Sequence, residues 1–507
     1  MSALSLLLAA IQVATITVCA SGSSPFNLSS SGFRPLNFSS SCDAACQTAY
    51  TEGLAYDANL FVHLDVSLDP FYAPPANFSS YAVGDLVKWE DIDSAAVSTS
   101  YWVPAGLSLS RFFYVSEDVD GKPLPATGYV LFPYTNPLGY NKPYRVVVWA
   151  HGTSGFTPQC APSNNKGLQY NWQAPFALAE QGYIVIAPDY AGLGTKIPAG
   201  FMYNAGVSHA ADVSTAVQAV RKNFNPHDSL LTLTNEWMVI GHGEGGLTAW
   251  RTAEREAKAD PRETKITRIP PVADFANTTT ARAGAGAPAG GLIGAVAIAP
   301  AMELMSLVPP AITKAHGGPL QFFVPPMLRS IARLFPSLNL SKYMTRKLID
   351  RTHLATSGLG CLNAAVPLLT NISLTDTYLH NTTFTSAPEV LAWEERYAGK
   401  GPAVLGGPML VLHGRKDSIV PWLHVEEIVA AQCNAFPRSQ VMYSVLQGLD
   451  HDGALAATHS IWLKWIHDRF EGRYVGHVCV KYDTWTDAKR FSTIEQVWES
   501  RGRMMLQ

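Results

Sequence analysis

A turn with the spacing of a catalytic nucleophile lies near the middle of the chain, but the nucleophile is missing. Residues 241–246 have the sequence GHGEGG and follow the apolar run 237–240. In a Gly-x-Ser-x-Gly turn between a strand and a helix, the serine attacks carbonyl carbons and the flanking glycines make room for a strained backbone. Gly241 and Gly245 hold the flanking positions, and Gly243 stands in place of the serine. The sequence predicts the frame of a nucleophilic site without an attacking atom.

An acidic residue and a histidine follow this turn in the order that a catalytic triad needs. Asp417 comes after the apolar run 408–412, and His451 lies 34 residues further along in the loop sequence GLDHDG. In such a triad the histidine takes the proton of the nucleophile, and the acid orients the imidazole. Asp450 and Asp452 flank His451 and are competing acids. We expect Asp417 and His451 to lie side by side as a working or relict catalytic pair.

A second turn offers donors for an oxyanion. Residues 150–155 have the sequence AHGTSG and follow another apolar run. The backbone N–H of Thr153 is our candidate donor, and the backbone N–H of Glu244, which follows the nucleophile position, is its partner. Because the main chain supplies both donors, neither depends on the missing serine. The alternative is a plain turn at the end of a strand.

Five short, continuous apolar runs separate these motifs and predict a buried sheet. They lie at residues 145–150, 183–187, 237–240, 293–298 and 408–412. Such runs are typical of parallel strands that are covered on both faces. Apolar residues at helical spacing between the runs supply the crossovers, and a predicted hairpin opens the sheet. The pattern predicts an α/β-hydrolase fold: a mostly parallel central sheet flanked by helices, with an inserted helical cap domain.

The same patterns divide the chain into five segments. We predict a signal peptide at 1–20, an N-terminal extension at 21–80, a first part of the core at 81–300, a cap or lid at 301–400, and a second part of the core with a C-terminal tail at 401–507. Residues 21–60 are expected to form an exposed leader, and the Gly- and Ala-rich segment 277–291 an exposed loop. Apolar residues of the cap either line an acyl-binding tunnel or form the cap's own core.

Composition and motifs exclude several classes of function. Charged residues make up 15% of the 507, and 37 Lys and Arg oppose 40 Asp and Glu, so no basic surface for nucleic acid is indicated. The sequence contains neither a P-loop nor a His-Glu-x-x-His zinc motif, and the spacing at 241–246 departs from the Gly-x-Gly-x-x-Gly of dinucleotide sites. We expect no cofactor, no metal and no nucleic-acid partner.

The first twenty residues resemble a cleavable export signal. An apolar stretch from Leu4 to Val18 ends in small residues before Ser21, and no second span follows. The alternative is a membrane anchor, for which the stretch is short. Seven Asn-x-Ser/Thr sites are predicted glycosylation sites in a secreted, extracellular protein. They begin at Asn27, Asn37, Asn77, Asn277, Asn339, Asn371 and Asn381.

Signal cleavage removes Cys19 and leaves six cysteines, an even number that suits an oxidising compartment. Six cysteines allow fifteen pairings. Local spacing favours Cys42 with Cys46, and chain order suggests the other two pairs, Cys160 with Cys361 and Cys433 with Cys479. We therefore expect three disulfides.

Taken in order, the motifs are similar to those of the secreted lipase A type of α/β hydrolases, found in fungi and bacteria. The resemblance rests on HGT at 151–153 followed by CAPS at 160–163, APDYAGLG at 187–194, the GHGEGG turn, HGRKD at 413–417, and His451. It runs from about Gly84 to about Phe470. It implies a cap domain, a disulfide from Cys160 into the cap, another joining Cys433 to Cys479, and hydrolysis of carboxylic esters such as acylglycerols.

Gly243 departs from the family's mechanism and leaves three hypotheses. Removing the serine of a comparable triad lowers kcat by a factor on the order of 10⁶. The first hypothesis is that the protein is a pseudoenzyme, which binds either a lipid or acyl ligand or an unidentified protein partner. Alternatively, it is a slow esterase in which His451 and Asp417 activate water, or an ordinary serine lipase in which Gly243 is an engineered or erroneous residue.

Overall fold

A computed structural model describes most of the chain, and the described residues belong to one compact unit. They are residues 41–224, 231–259, 291–313, 320–370, 379, 383–473, 475 and 479–484. The predicted signal peptide, nearly all of the predicted loop 277–291, and five of the predicted glycosylation sites lie outside these residues. Those five sites are Asn27, Asn37, Asn277, Asn371 and Asn381.

The described residues form a sheet of ten strands, in the order β1-β2-β3-β5-β4-β6-β7-β8-β9-β10. The strands are β1 Leu86–Asp91, β2 Leu107–Glu117, β3 Pro123–Pro133, β4 Tyr144–Ala150, β5 Ile184–Pro188, β6 Leu233–His242, β7 Leu292–Ile298, β8 Met409–Gly414, β9 Val441–Leu446 and β10 Val480–Thr484. From β5 to β10 every neighbouring pair is parallel, whereas β1, β2, β3 and β5 pair antiparallel. The predicted mostly parallel α/β sheet is confirmed.

Helices cover both faces of this sheet, which explains why its central strands are continuously apolar. The helices are α1 Ala44–Leu60, α2 Ser94–Thr99, α3 Pro175–Glu180, α4 Gly206–Asn223, α5 Glu244–Ala259, α6 Leu304–Thr313, α7 Leu320–Leu334, α8 Arg346–Ser357, α9 Leu362–Thr370, α10 Pro388–Trp393, α11 Trp422–Ala435, α12 Gly453–Ala456 and α13 His459–Phe470. In β5 and β8 every residue is buried. Helices α4 and α5 provide the crossovers from β5 to β6 and from β6 to β7.

Helices α6 to α10 follow β7 and precede β8, and we call them the helical insertion. They fall within the segment predicted as a cap, and the cap role stays a prediction. Helix α1 packs against α9 of this insertion. Its buried Asp57 accepts hydrogen bonds from the backbone N–H of Cys361 at 2.6 Å and of Ala364 at 3.1 Å, so it caps α9 from a distant part of the chain. The expectation of an exposed leader is therefore wrong for α1, because Tyr50 and Leu54 face the insertion and are buried.

The described residues contain three disulfides, whose paired cysteines are between 4 and 201 residues apart in sequence. Cys42 pairs with Cys46, Cys160 with Cys361, and Cys433 with Cys479. The pairs are those that chain order and the family resemblance suggest. Cys160–Cys361 ties the loop after β4 to the helical insertion, and Cys433–Cys479 ties α11 to the start of β10.

Replacing Cys160 and Cys361 together by alanine is expected to lower the free energy of unfolding by about 3–5 kcal/mol. The physical reason is that this crosslink closes a loop of 201 residues and so restricts the unfolded chain most. Urea unfolding followed by tryptophan fluorescence measures the change. The control is the double alanine variant of Cys42 and Cys46, whose separation is 4 residues and whose loss should be about 2 kcal/mol or less. Equal losses for the two variants would contradict the prediction.

Candidate active site

The turn between β6 and α5 has the geometry of a nucleophile-bearing elbow. Strand β6 ends at His242, helix α5 begins at Glu244, and Gly243 between them has a φ of +60°. A Cβ at Gly241 would lie 2.0 Å from the carbonyl oxygen of Gly245, and one at Gly245 would lie 1.9 Å from that of Ala150. Both flanking positions therefore require glycine, because any side chain would collide with backbone.

The imidazole of His451 faces the position where a side chain at residue 243 would stand. An ideal Cβ built on Gly243 lies 3.1 Å from Nε2 of His451 and 3.7 Å from its Cε1. Within the described part of the chain, no other heavy atom beyond the immediate chain neighbours lies within 4 Å of that point. The structure thus brings Gly243 and His451 together and leaves open space at the nucleophile position.

Asp417 is the acid that pairs with this histidine. Its Oδ2 lies 2.7 Å from Nδ1 of His451, which leaves Nε2 directed at residue 243. Its Oδ1 accepts hydrogen bonds from the backbone N–H groups of Ile419 at 2.9 Å and Val420 at 2.8 Å. Asp450, a competing acid next to His451 in sequence, instead accepts from the backbone N–H of Gly453. The tight turn after β8 therefore sets the orientation of the carboxylate.

Electrostatics favour charge separation in this pair. Burial alone would raise the pKa of Asp417, but His451 and His413 outweigh burial and hold that pKa below its ordinary value. Burial alone would lower the pKa of His451, but the charge of Asp417 and its hydrogen bond raise the pKa above 6.5. His451 is therefore a stronger base than a free histidine, and Asp417 stays ionised at neutral pH.

Two further histidines support the pair, and motif spacing did not single them out. His413 Nε2 lies 3.2 Å from Asp417 Oδ2 and 2.8 Å from the carbonyl oxygen of Val420. His242 Nε2 lies 3.0 Å from the carbonyl oxygen of His451, and its Nδ1 lies 3.1 Å from the hydroxyl of Tyr170. Burial and the neighbouring His451 lower the pKa of His242 to about 3, so it remains neutral. Their sequence positions could have identified them, because each lies inside a motif, GHGEGG or HGRKD, at the end of a predicted strand.

The predicted oxyanion turn lies next to the elbow, because β4 and β6 are neighbours with Ala150 paired to Gly241. The hydroxyl of Thr153 lies 3.2 Å from Oε2 of Glu244 and 3.0 Å from the hydroxyl of Tyr203. The structure therefore brings together the two residues proposed as backbone donors, and it links them through their side chains. Motif spacing indicated only the backbone N–H groups of these two residues.

The Glu244 carboxyl is buried at the start of α5 and is uncharged at neutral pH. Its Oε1 accepts a hydrogen bond of 2.7 Å from the backbone N–H of Asn204. Burial raises the pKa of Glu244 to about 8, although the hydrogen bonds from Asn204 and Thr153 oppose this shift. A neutral carboxyl at this position does not repel negative charge that develops beside the elbow.

Replacing Glu244 by glutamine is expected to remove part of the pH dependence of stability. A carboxyl with a folded-state pKa above its ordinary value of 4.5 contributes stability that is complete below 4.5 and is lost as the pH rises through about 8. Between pH 4.5 and 8 the wild type should lose roughly 4 kcal/mol of unfolding free energy relative to Glu244→Gln. Urea unfolding at pH 5, 6.5 and 8 checks this. The control is Glu52→Gln, on the exposed face of α1, which should keep the pH dependence of the wild-type unfolding free energy. If the unfolding free energies of wild type and Glu244→Gln change in parallel with pH, the prediction is wrong.

One cluster among the described residues has the composition of a metal site. His242, His451 and Asp452 offer donor atoms within 4.8 Å of one another. However, Nδ1 of His451 is hydrogen-bonded to Asp417, and both ring nitrogens of His242 have hydrogen-bond partners. Hydrogen bonding accounts for this arrangement, and the expectation of no metal stays a prediction.

Comparisons with known proteins point to one group of enzymes. No family model matches the chain. It is 22% identical over 443 residues to secreted triacylglycerol lipase LIP7 of Malassezia globosa, which covers 82% of each chain. It is 24% identical over 188 residues to secreted triacylglycerol lipase LIP1 of Malassezia furfur, covering 35% of this chain and 34% of the relative.

Solved structures share the fold at low sequence identity. The closed state of Candida antarctica lipase A superposes with a TM-score of 0.61 at 13% identity, covering 87% of this chain and 94% of the other. The rice cell wall degrading esterase LipA of Xanthomonas oryzae superposes with a TM-score of 0.55 at 16% identity, covering 77% and 98%. These likenesses show that the chain shares the overall fold of these two structures.

Proposed function

We propose that the chain is a secreted lipase A-like α/β hydrolase that binds an acyl ligand in the site of a carboxylic-ester hydrolase without forming an acyl-enzyme. The observation that carries this proposal is Gly243 at the elbow. The surrounding groups keep the arrangement of a triad, with His451 Nε2 directed at residue 243 and Asp417 bonded to Nδ1. Glycine has no side-chain atom that could attack a carbonyl carbon.

The remaining groups suit recognition of an acyl group. In an active relative, the backbone N–H groups at Thr153 and Glu244 would hold the carbonyl oxygen, and His451 would return a proton to the leaving alcohol. The ligand class follows from the names of the relatives, which are triacylglycerol lipases. With the serine absent, the oxyanion donors and binding alone support a residual rate of roughly 10³ to 10⁴ over the uncatalysed reaction.

The protein is secreted, as its named relatives are. Its three disulfides suit an oxidising compartment. No helix among the described residues is long and apolar enough to span a bilayer. The predicted glycosylation sites Asn77 and Asn339 have exposed side chains, so both are accessible for modification.

A paired assay on the purified secreted protein tests the proposal. Hydrolysis of p-nitrophenyl butyrate and octanoate is measured beside covalent labelling by a fluorophosphonate probe and displacement of a fluorescent fatty-acid analogue. We expect displacement by acyl compounds, no labelling, and hydrolysis no more than roughly 10³ to 10⁴ above the uncatalysed rate. Labelling at a single site together with turnover of at least 1 per second, the lower end of ordinary enzyme rates, would overturn the proposal.

A slow water-dependent esterase is the second candidate, and one observation favours it. The space beside Nε2 of His451 is open, so a water held there would have a general base directed at it. General base catalysis contributes typically 10²–10⁴, and it requires neutral His451. Hydrolysis should then rise with pH through the pKa of His451 and disappear in His451→Ala. Activity that survives His451→Ala would exclude this mechanism.

A further inference from the structure

Replacement of serine by glycine changes which chemical group fits at the elbow. In a serine hydrolase, the nucleophile oxygen stands beside the histidine, and the substrate carbonyl oxygen stands in the oxyanion site. Here the first of these positions is open, with no described heavy atom other than His451 and the chain neighbours within 4 Å of the ideal Cβ of Gly243. A carboxylate has two unsubstituted oxygens on one carbon and can fill both positions, whereas one of the two oxygens of an ester carries an alkyl group.

A protonated His451 beside the open position can pair with an anion. A carboxylate next to a protonated His451 reproduces the charges of the tetrahedral intermediate that such sites stabilise, namely an oxyanion beside an imidazolium. Asp417 stabilises the protonated imidazole through the 2.7 Å contact at Nδ1. The carboxylate then accepts a charge-assisted hydrogen bond from Nε2–H, which is stronger than a bond between neutral groups.

Other titratable groups face His451 from several elements. His242, at the end of β6, stays neutral because burial lowers its pKa to about 3. His413, in β8, shares the Asp417 carboxylate. Asp450 and Asp452 flank His451 in its own loop, are partly exposed, and favour its protonated form. Glu244, at the start of α5, is mostly uncharged at neutral pH because burial raises its pKa to about 8.

An aromatic cluster adjoins the oxyanion side of the site. The Tyr203 hydroxyl is hydrogen-bonded to the hydroxyl of Thr153. The centroid of the Tyr203 ring lies 5.0 Å from that of Phe156 and 6.1 Å from that of Phe323. The ring centroids of Phe322 and Phe156 lie 5.8 Å apart. Because Phe322 and Phe323 belong to α7, the cluster connects the elbow region to the helical insertion. Phe156, Tyr203 and Phe322 are buried and Phe323 is partly exposed, so the surroundings of the site on this side are apolar.

We propose that this site retains a free long-chain carboxylate, a fatty-acid anion, in preference to the corresponding ester. One carboxylate oxygen occupies the volume that a serine side chain would fill and accepts a hydrogen bond from Nε2–H of His451. The other oxygen accepts from the backbone N–H groups of Thr153 and Glu244. The inference rests on the proposed function, since it specifies which acyl compound the site holds.

Calorimetric titration of the full secreted protein with dodecanoate, methyl dodecanoate and dodecanol, each below its aggregation limit, tests the preference. At pH 6.5 dodecanoate should bind at least tenfold more tightly than either neutral compound, because only it accepts a charge-assisted bond. Its affinity should fall as the pH rises through the pKa of His451, because the imidazole then loses its proton, while the affinities of the two neutral compounds should stay constant. Repeating the series with Glu244→Gln separates this effect from ionisation of Glu244, and the fall should persist in that variant.

Two substitutions locate the effect at His451 and Gly243. His451→Gln should weaken dodecanoate about tenfold and leave dodecanol unchanged, because the variant keeps a donor but loses the charge. His459→Gln is the matched control, since His459 contacts the carbonyl oxygen of Gln173 and not Asp417. Gly243→Ala should weaken dodecanoate by filling the open volume, and thermal unfolding checks that this variant folds.

Equal affinity for dodecanoate and methyl dodecanoate across the pH range would overturn the inference and leave the proposed function intact. The same holds if dodecanoate binds His451→Gln as tightly as the wild type. Binding of none of the three compounds would instead overturn the proposed function, and the inference with it.

Discussion

Gly243→Ser is expected to raise kcat for p-nitrophenyl butyrate by a factor on the order of 10⁶, equivalent to about 8 kcal/mol of activation free energy. The reason is that His451 and Asp417 already have the geometry of a triad's base and acid. The new Cβ would lie 3.1 Å from Nε2 of His451, so a small shift of the imidazole brings the hydroxyl within reach of its base. Hydrolysis rates and fluorophosphonate labelling of wild type and variant measure the effect.

The backbone at this position opposes the substitution only modestly. Gly243 has a φ of +60°, a conformation that disfavours a side chain by roughly 1–2 kcal/mol and that strained catalytic turns nevertheless adopt. We therefore expect the serine variant to fold with slightly reduced stability. Gly243→Ala is the matched control, because it adds the same Cβ without a hydroxyl. It should show neither turnover nor labelling, and a serine variant that stays inactive while folded would contradict the prediction.

Asp417→Asn, introduced into the Gly243→Ser protein, is expected to lower kcat about 10⁴-fold, as the same change does in comparable triads. Asp417 Oδ1 accepts two backbone hydrogen bonds, so the carbonyl oxygen of the new amide should keep that position. Its NH₂ group would then face Nδ1 of His451 and donate to it. The proton of the imidazole would move to Nε2, and His451 could no longer accept the proton of the serine.

Kinetics with p-nitrophenyl butyrate across the pH range measure this loss. A partial recovery at high pH would fit a base that is misoriented and no longer stabilised as a cation. Asp468→Asn serves as the matched control, because Asp468 binds Lys464 on the surface of α13. It should leave kcat within twofold of the parent. A similar kcat for Asp417→Asn and its parent would mean that another group orients His451.

The sequence alone determined the central sheet and the relative order of the site residues. Both depend on local information: continuous runs of Val, Ile and Leu indicate strands covered on both faces, and glycines at fixed spacing indicate a crowded turn. The edge strands β1 and β10 escaped prediction. Strand β10 has the sequence VKYDT and is largely exposed, and its parallel pairing to β9 depends on contacts made by the fold. A short polar edge strand carries no apolar pattern that could reveal it.

Only the tertiary structure decided how charge is arranged around the elbow. The buried carboxyls of Asp57 and Glu244 accept hydrogen bonds from residues far away in the chain, and such partners leave no periodicity near either residue. The same is true of His242, whose partners are Tyr170 and the backbone of His451. Motif spacing identifies which residues can meet at a sheet edge. Burial, which shifts the pKa of each group by removing it from water, depends on every element that packs around it.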